Sequence, residues 1–194
     1  MLASLTNPLL QKRMTLHRET ANDVAARECL LDSAFGAARF EKTCERLRTG
    51  RNHADGLSFV LKDRAKIVGT IRLWKIMAGG VPALLLGPLA IAKSYEGLGL
   101  GSQLMRHALK QASTLGHKAI LLVGDAPYYE RFGFSAELTE NLVLPGPVDR
   151  RRFLATELEE GALNEAMGLV IATGERESRP VMKQNDEKLA EKAA

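Results

Sequence analysis

The chain has 194 residues, of which 45% are hydrophobic and 26% charged, a composition that suits one domain with a sizeable core. Its net charge of +4 is mild, and its basic residues are not interleaved with aromatics, which argues against a nucleic-acid partner. The longest apolar run, Val81–Ala92, contains a proline and a glycine and is too short to span a bilayer, so no membrane association is expected.

Residues 1–12 read as a leader: Met1–Leu10 lacks the basic start and cleavage pattern of a signal peptide. Arg13–Glu19 alternates around Met14 and Leu16 and predicts a first strand. Thr20 and Asp23 form a capping-box-like start to a helix whose stripe is Val24, Leu30, Leu31, Ala34 and Phe35. A second helix is predicted over Ala37–Arg48, ending at Gly50. Leu57–Lys62 and Lys66–Met77 are β-rich and joined at Asp63-Arg64, a hairpin signal. Gly79-Gly80 turns the chain into the strand Pro82–Ile91. The 3.6-residue spacing of Leu100, Leu104, Met105, Ala108, Leu109, Ala112 and Leu115 marks a helix stopped by Gly116.

Lys118–Val123 is a continuous apolar strand, as in a sheet buried on both faces. A short helix over Asp125–Arg131 precedes Phe132-Gly133-Phe134. Then come a strand at Asn141–Leu144, a Pro145-Gly146-Pro147 turn, a helix over Val148–Leu154 and a strand at Gly168–Ala172. Residues 13–173 thus read as one mixed α/β domain around a sheet. Residues 174–194, with balanced charge, read as a surface helix or disordered tail. With only Cys29 and Cys44 there is no disulfide framework, and a reducing cytoplasm is the expected location.

Chemistry concentrates in Gly97-Leu98-Gly99-Leu100-Gly101-Ser102, between a strand and a helix. Glycine admits a phosphate closely, and the first amides of a helix have no internal partner and point at anions. A dinucleotide fold would need a third Gly or Ala, where Leu104 or Ser102 stands, and a carboxylate about 20 residues on, where Ala119-Ile120-Leu121 has none. A Walker loop would need Gly-Lys-Ser/Thr, which is absent.

Glu96, Gly99 and Gly101 stand where the GNAT N-acetyltransferase superfamily carries [QR]-x-x-G-x-[GA], and Tyr129-Glu-Arg-Phe-Gly133-Phe134 matches its Tyr-x-x-x-Gly-Phe signature. The segments Leu86-Gly87-Pro88-Leu89, Leu121–Tyr129 and Leu144–Val148 resemble the YhbS-like branch of that superfamily. The resemblance covers roughly Arg13–Ala172. It implies a GNAT fold: an α/β (α+β) domain with a mixed, mostly antiparallel sheet, helices on both faces, and the cofactor held at a splay between two central strands. It also implies an acetyl-CoA-dependent N-acetyltransferase that passes acetyl directly to an amine, without a metal. The alternative is a catalytically weak GNAT-fold sensor or scaffold that binds acyl-CoA.

By this resemblance the cofactor is bound by Leu89, Ala90 and Ile91 of the central strand, by Leu98, Gly99, Leu100, Gly101 and Ser102 of the loop, and by Tyr129. Tyr129 maps to the general acid, against a reading in which it packs beneath the cofactor; Tyr128 is its back-up. Asp125 is a candidate base or proton relay, or the N-cap of the short helix. Glu96 departs from the family's Gln or Arg, and Leu98 from its frequent basic residue; a carboxylate at the first position should weaken cofactor binding. Trp74, Phe35 and Phe40 read either as core or as acceptor-groove residues. His117 reads as a surface residue or helix cap, and Arg150-Arg151-Arg152 as a solvated helix start or as a cluster attracting an anionic cofactor. A small-molecule or peptide amine is the expected acceptor, and the protein is expected to be a monomer or homodimer.

Overall fold

A computed structural model describes residues 14–177. The 1–12 leader and most of the 174–194 tail lie outside the described residues. Residues 174–177 do not hang free: Asn52 donates its amide to the Glu175 carbonyl at 2.8 Å, Glu177 donates to Gly50 at 3.0 Å, and Arg51 bridges to Arg176.

The spine is a sheet in the order β1-β2-β3-β4-β5-β7. Its strands are β1 (Met14–Arg18), β2 (Ser58–Asp63), β3 (Lys66–Ala78), β4 (Val81–Ile91), β5 (Ala119–Val123) and β7 (Phe153–Glu157). Further, β6 (Leu142–Val143) pairs with β8 (Gly168–Ala172), and β8 pairs with the far end of β3. All the neighbours along the main path are antiparallel except β4 and β5. This is the mixed, mostly antiparallel sheet that the GNAT resemblance implies.

Helices cover both faces. On one, α1 (Val24–Phe35) seats Leu30 and Leu31 against Val60, Ile67 and Ala90. On the other, α3 (Leu100–Thr114) buries Leu100, Leu104, Met105, Ala108 and Ala112 against Phe59, Leu61, Ile71, Leu73 and Leu122. Five of the seven predicted stripe residues are thus buried, while Leu109 is half-buried and Leu115, past the helix end, is exposed; burying such a face is the main source of helix stability. Gly116 ends it with φ +81°, and the His117 amide reaches back to the Ala112 carbonyl at 3.0 Å.

Two predicted helices are corrected. Ala37–Arg48 is not continuous: a 3₁₀ turn (Ala37–Glu41) and the short α2 (Thr43–Arg46) are split by Lys42 in an extended conformation. Long-range bonds hold this break, from Thr43 Oγ1 to the Pro147 carbonyl at 2.6 Å and from Arg46 to the Pro145 carbonyl at 2.9 Å. Val148–Leu154 is likewise only a 3₁₀ turn at Arg150–Arg152, after which Phe153 starts β7, a strand the sequence does not announce. The far edge of β5 requires a partner, and Phe153–Glu157 supplies it in full register.

Candidate active site

The parallel pairing of β4 and β5 lasts for two register positions only, Leu84↔Ile120 and Leu85↔Leu121. Beyond them the strands splay, so the β5-facing backbone of Leu86–Ile91 has no strand against it. On its other side β4 stays paired to β3 but bulges: Ile71 faces Leu89 and Leu73 faces Leu86, which leaves Gly87 and Pro88 opposite Arg72 alone. Trp74 holds the bulge, donating its indole N–H to the Gly87 carbonyl at 2.6 Å. At 7% exposed, Trp74 is a core residue rather than a substrate shelf.

The glycine loop lies at the end of β4. Gly99 is the N-cap of α3 with φ +76°, and the first backbone bond of the helix runs from the Gln103 amide to the Gly99 carbonyl at 3.0 Å. The amides of Leu100, Gly101 and Ser102 precede that bond and have no carbonyl behind them. A Cβ on Gly101 would lie 2.7 Å from the Tyr128 hydroxyl, so Gly101 permits a contact that closes the base of the splay. Glu96 is exposed at the loop's outer edge.

Across the splay stands α4 (Ala126–Tyr129). Asp125 precedes it as N-cap, but its carboxylate makes no cap bond; its carbonyl accepts from the Tyr128 and Tyr129 amides at 3.0 and 3.2 Å. Tyr129 is seated on Gly124, where a Cβ would come within 2.1 Å of its ring, and it meets Tyr128 edge-to-face at 4.9 Å. Burial, with smaller contributions from Tyr128 and Asp125 that outweigh Arg152, pushes the Tyr129 phenol up to about 12. Tyr129 and Asp125 line one cavity of about 710 Å³ together with Gly87, Pro88 and Leu89. That volume suits a small-molecule site.

The remaining wall comes from residues outside the glycine loop and the Tyr-x-x-x-Gly-Phe signature. Arg39, Lys42, Cys44, Glu45 and Arg48 descend from the broken 37–48 segment, and Val148, Asp149 and Arg152 from the turn before β7. Phe35 also lines the cavity, at 37% exposed, whereas Phe40 is a 58% exposed residue under the Arg39 guanidinium. Arg39 is held by Glu28 and Asp32 of α1, and Glu28 also binds Arg27 at 3.0 Å. Among the described residues no group of three or more His, Cys, Asp or Glu could hold a metal ion, and no helix is long and apolar enough to cross a membrane.

A splayed parallel pair, a bulged central strand and a helix N-terminus at its end define an acyltransferase fold of the GNAT type. The acetyltransferase (GNAT) family profile matches residues 15–134, and the chain belongs to that family. It is 28% identical to the uncharacterized N-acetyltransferase YhbS of Escherichia coli K12 over 159 residues, 81% of this chain and 95% of that protein. YjhQ of the same organism, also an uncharacterized N-acetyltransferase, is 27% identical over 124 residues, 62% of this chain and 68% of its own. The crystal structure of Escherichia coli YhbS in complex with CoA superposes with a TM-score of 0.71 at 27% identity, covering 83% of this chain and 90% of that one. A GNAT acetyltransferase from Brucella melitensis in complex with acetyl-CoA superposes at 0.55, with 25% identity over 75% and 96% of the two chains.

Proposed function

We propose that this protein is an acetyl-CoA-dependent N-acetyltransferase that passes acetyl directly to an amine in a ternary complex. The observation that carries the reading is the open backbone of Leu86–Ile91, with the free amides of α3 following at its end and Tyr129 sharing a cavity with Leu86–Leu89. The relatives that bind CoA and acetyl-CoA support it.

The chain fits such a ligand. The amides of Leu98, Gly99, Leu100, Gly101 and Ser102, at a positive helix end, would hold the pyrophosphate. The free backbone of Leu89, Ala90 and Ile91 would hold the pantetheine arm and polarise the acyl oxygen. Acetyl-CoA supplies the acyl group as a thioester. As the N–C bond forms and the C–S bond breaks, the Tyr129 hydroxyl donates a hydrogen bond to the developing thiolate. The proton lost by the amine nitrogen ends on sulfur, so protons and charge balance. Asp125, exposed in the same cavity, attracts the ammonium form of the amine and relays its first proton to solvent.

Cys44 also lines the cavity, but burial, ahead of the charges around it, pushes its thiol up. It is the thiol rather than the thiolate at neutral pH, which disfavours a covalent acetyl-cysteine. Initial velocities at varied acetyl-CoA and amine should therefore give intersecting lines, and the intact mass of the protein after acetyl-CoA alone should be unchanged. Parallel lines with a stable acetyl adduct would overturn direct transfer.

Glu96 gives a smaller expected effect. A carboxylate about 4 Å from a pyrophosphate oxygen is opposed by about 1 kcal/mol in full water screening. Glu96→Gln should tighten acetyl-CoA binding by up to about fivefold in a calorimetric titration at low salt, and the gain should shrink as salt is added. Equal affinities at low salt would place the Glu96 carboxylate away from the phosphates.

A further inference from the structure

We infer that the acceptor is an amine that also carries a carboxylate, and that Arg48 grips this carboxylate. The inference rests on the transfer reading above. Arg48 is a cavity residue whose guanidinium is fixed in place yet keeps one nitrogen unpaired. Its side chain is 10% exposed. Two edges of the guanidinium are braced, by Nε donating to the Cys44 carbonyl at 3.2 Å and Nη2 paired to Glu45 at 3.2 Å. Nη1 has no hydrogen-bond partner among the described residues, and it stands 3.6 Å from where a Cβ on Gly87 would be, at the β4 bulge.

Nη1 is not sealed from water, so it is open to the cavity and a ligand oxygen can take the place of solvent on it. A guanidinium already fixed on two sides loses little freedom on gripping a planar carboxylate. Arg39 and Arg72 reinforce the positive field at Arg48, but they are answered elsewhere: Arg39 by Glu28 and Asp32, Arg72 by Glu19. Arg48 has only Glu45, itself 23% exposed. A single negative charge fits better than a phosphate dianion, because four acidic side chains (Glu41, Glu45, Asp125 and Asp149) offset the four basic ones lining the same cavity. Asp125 and Tyr129 share that cavity, so an amine end can face them while an acid end faces Arg48.

The test compares matched acceptors: free amino acids with the amine and carboxylate at different separations, dipeptides, and the carboxamide of each. Rates are expressed per free amine, since amidation lowers the amine pKa. In the wild type the carboxylate member should have a kcat/KM about 10-fold to 100-fold higher, the range of one charge-assisted hydrogen bond. Arg48→Met should raise KM for the carboxylate member by a similar factor. It should leave KM for acetyl-CoA and rates with the carboxamides within about twofold, and Arg48→Lys should recover part of the loss. Whether free amino acids or dipeptides lead distinguishes the source of the carboxylate.

Equal rates for acid and amide in the wild type would overturn the inference while leaving acetyl transfer standing. A fall in kcat with KM unchanged, equal for both members, would put Arg48 on the reacting carbonyl and overturn it as well. Binding provides a readout that does not need turnover or a folded variant. With CoA present, the wild type should bind N-acetyl amino acids more tightly than their methylamides. That preference without any turnover would uphold the carboxylate site and reject the transfer reading; no preference would reject the site.

Discussion

Tyr129→Phe should lower kcat by about 10²-fold to 10³-fold while acetyl-CoA binding changes less than twofold, because it removes one donor aimed at a developing anion. The phenol is pushed up to about 12, against about 8.5 for an ordinary thiol. Full proton transfer to the thiolate would be uphill by roughly 3.5 units, or about 5 kcal/mol. Tyr129 therefore acts best as a hydrogen-bond donor that stays protonated, not as an acid that ionises ahead of C–S cleavage. The pH profile separates the two. With the pKa at about 12, the rate should rise with the free-amine fraction and then hold to at least about pH 10, with no falling limb from Tyr129. A falling limb near pH 10 that disappears in Tyr129→Phe would show a phenol of ordinary pKa. A variant within about threefold of wild type would return Tyr129 to a packing role.

Glu19→Gln should destabilise the protein by about 3–5 kcal/mol, the usual cost of breaking a buried ion pair from one side. Glu19 has a side chain 3% exposed and serves three partners: Arg72 through both its Nε (2.8 Å) and Nη2, the Ser58 hydroxyl, and Arg27 Nε at 3.3 Å. Arg27, with a side chain 5% exposed, is left with Glu28 alone once Glu19 is neutral. Its Nε already lacks hydrogen-bond geometry to any described residue. Burial by itself would raise the Glu19 carboxyl, but the hydrogen bonds from Arg72 and Ser58 and the charges of Arg72 and Arg27 outweigh it and hold the group below its ordinary value.

The sign of the pH dependence follows. A depressed carboxyl contributes stability that is present in full above its unfolded pKa, about 4.3, and lost as pH falls through the folded value. Thermal melts should show a midpoint lowered by roughly 6–20 °C at neutral pH for a chain of this size, with the gap to wild type closing in acid below about pH 4. A shift under about 2 °C at pH 7 would mean that the network contributes specificity rather than stability.

The elements flanking the splay were legible because they obey a local period. The α3 stripe repeats at 3.6 residues, β5 is continuously apolar, and the glycine loop and Tyr-x-x-x-Gly-Phe lie at a spacing that α3 and β5 fill. The acceptor wall was not legible, since its causes are distant in sequence. Lys42 breaks the 37–48 helix because Thr43 and Arg46 are tied to the carbonyls of Pro147 and Pro145. Phe153–Glu157 follows three arginines that suggest a helix, yet it becomes a strand because β5 has an open edge. Arg48 carries no sequence signal, and only the fold brings it to Gly87. Asp125 was legible as a cap position, but its backbone carbonyl, not its side chain, receives the helix amides.

The splay is proposed to turn acetyl-CoA and an amine into CoA and an acetamide. The most direct measurement follows thiol release and N-acetylated product together, by absorbance and mass spectrometry, in wild type and in Tyr129→Phe matched for acetyl-CoA affinity. Release should depend on the amine, with one thiol per acetylated amine, and should be at least about 10²-fold slower in Tyr129→Phe. Tight acetyl-CoA binding with no acetylated amine from the panel would contradict the proposed transfer, and would make the protein an acyl-CoA-binding module on a GNAT fold.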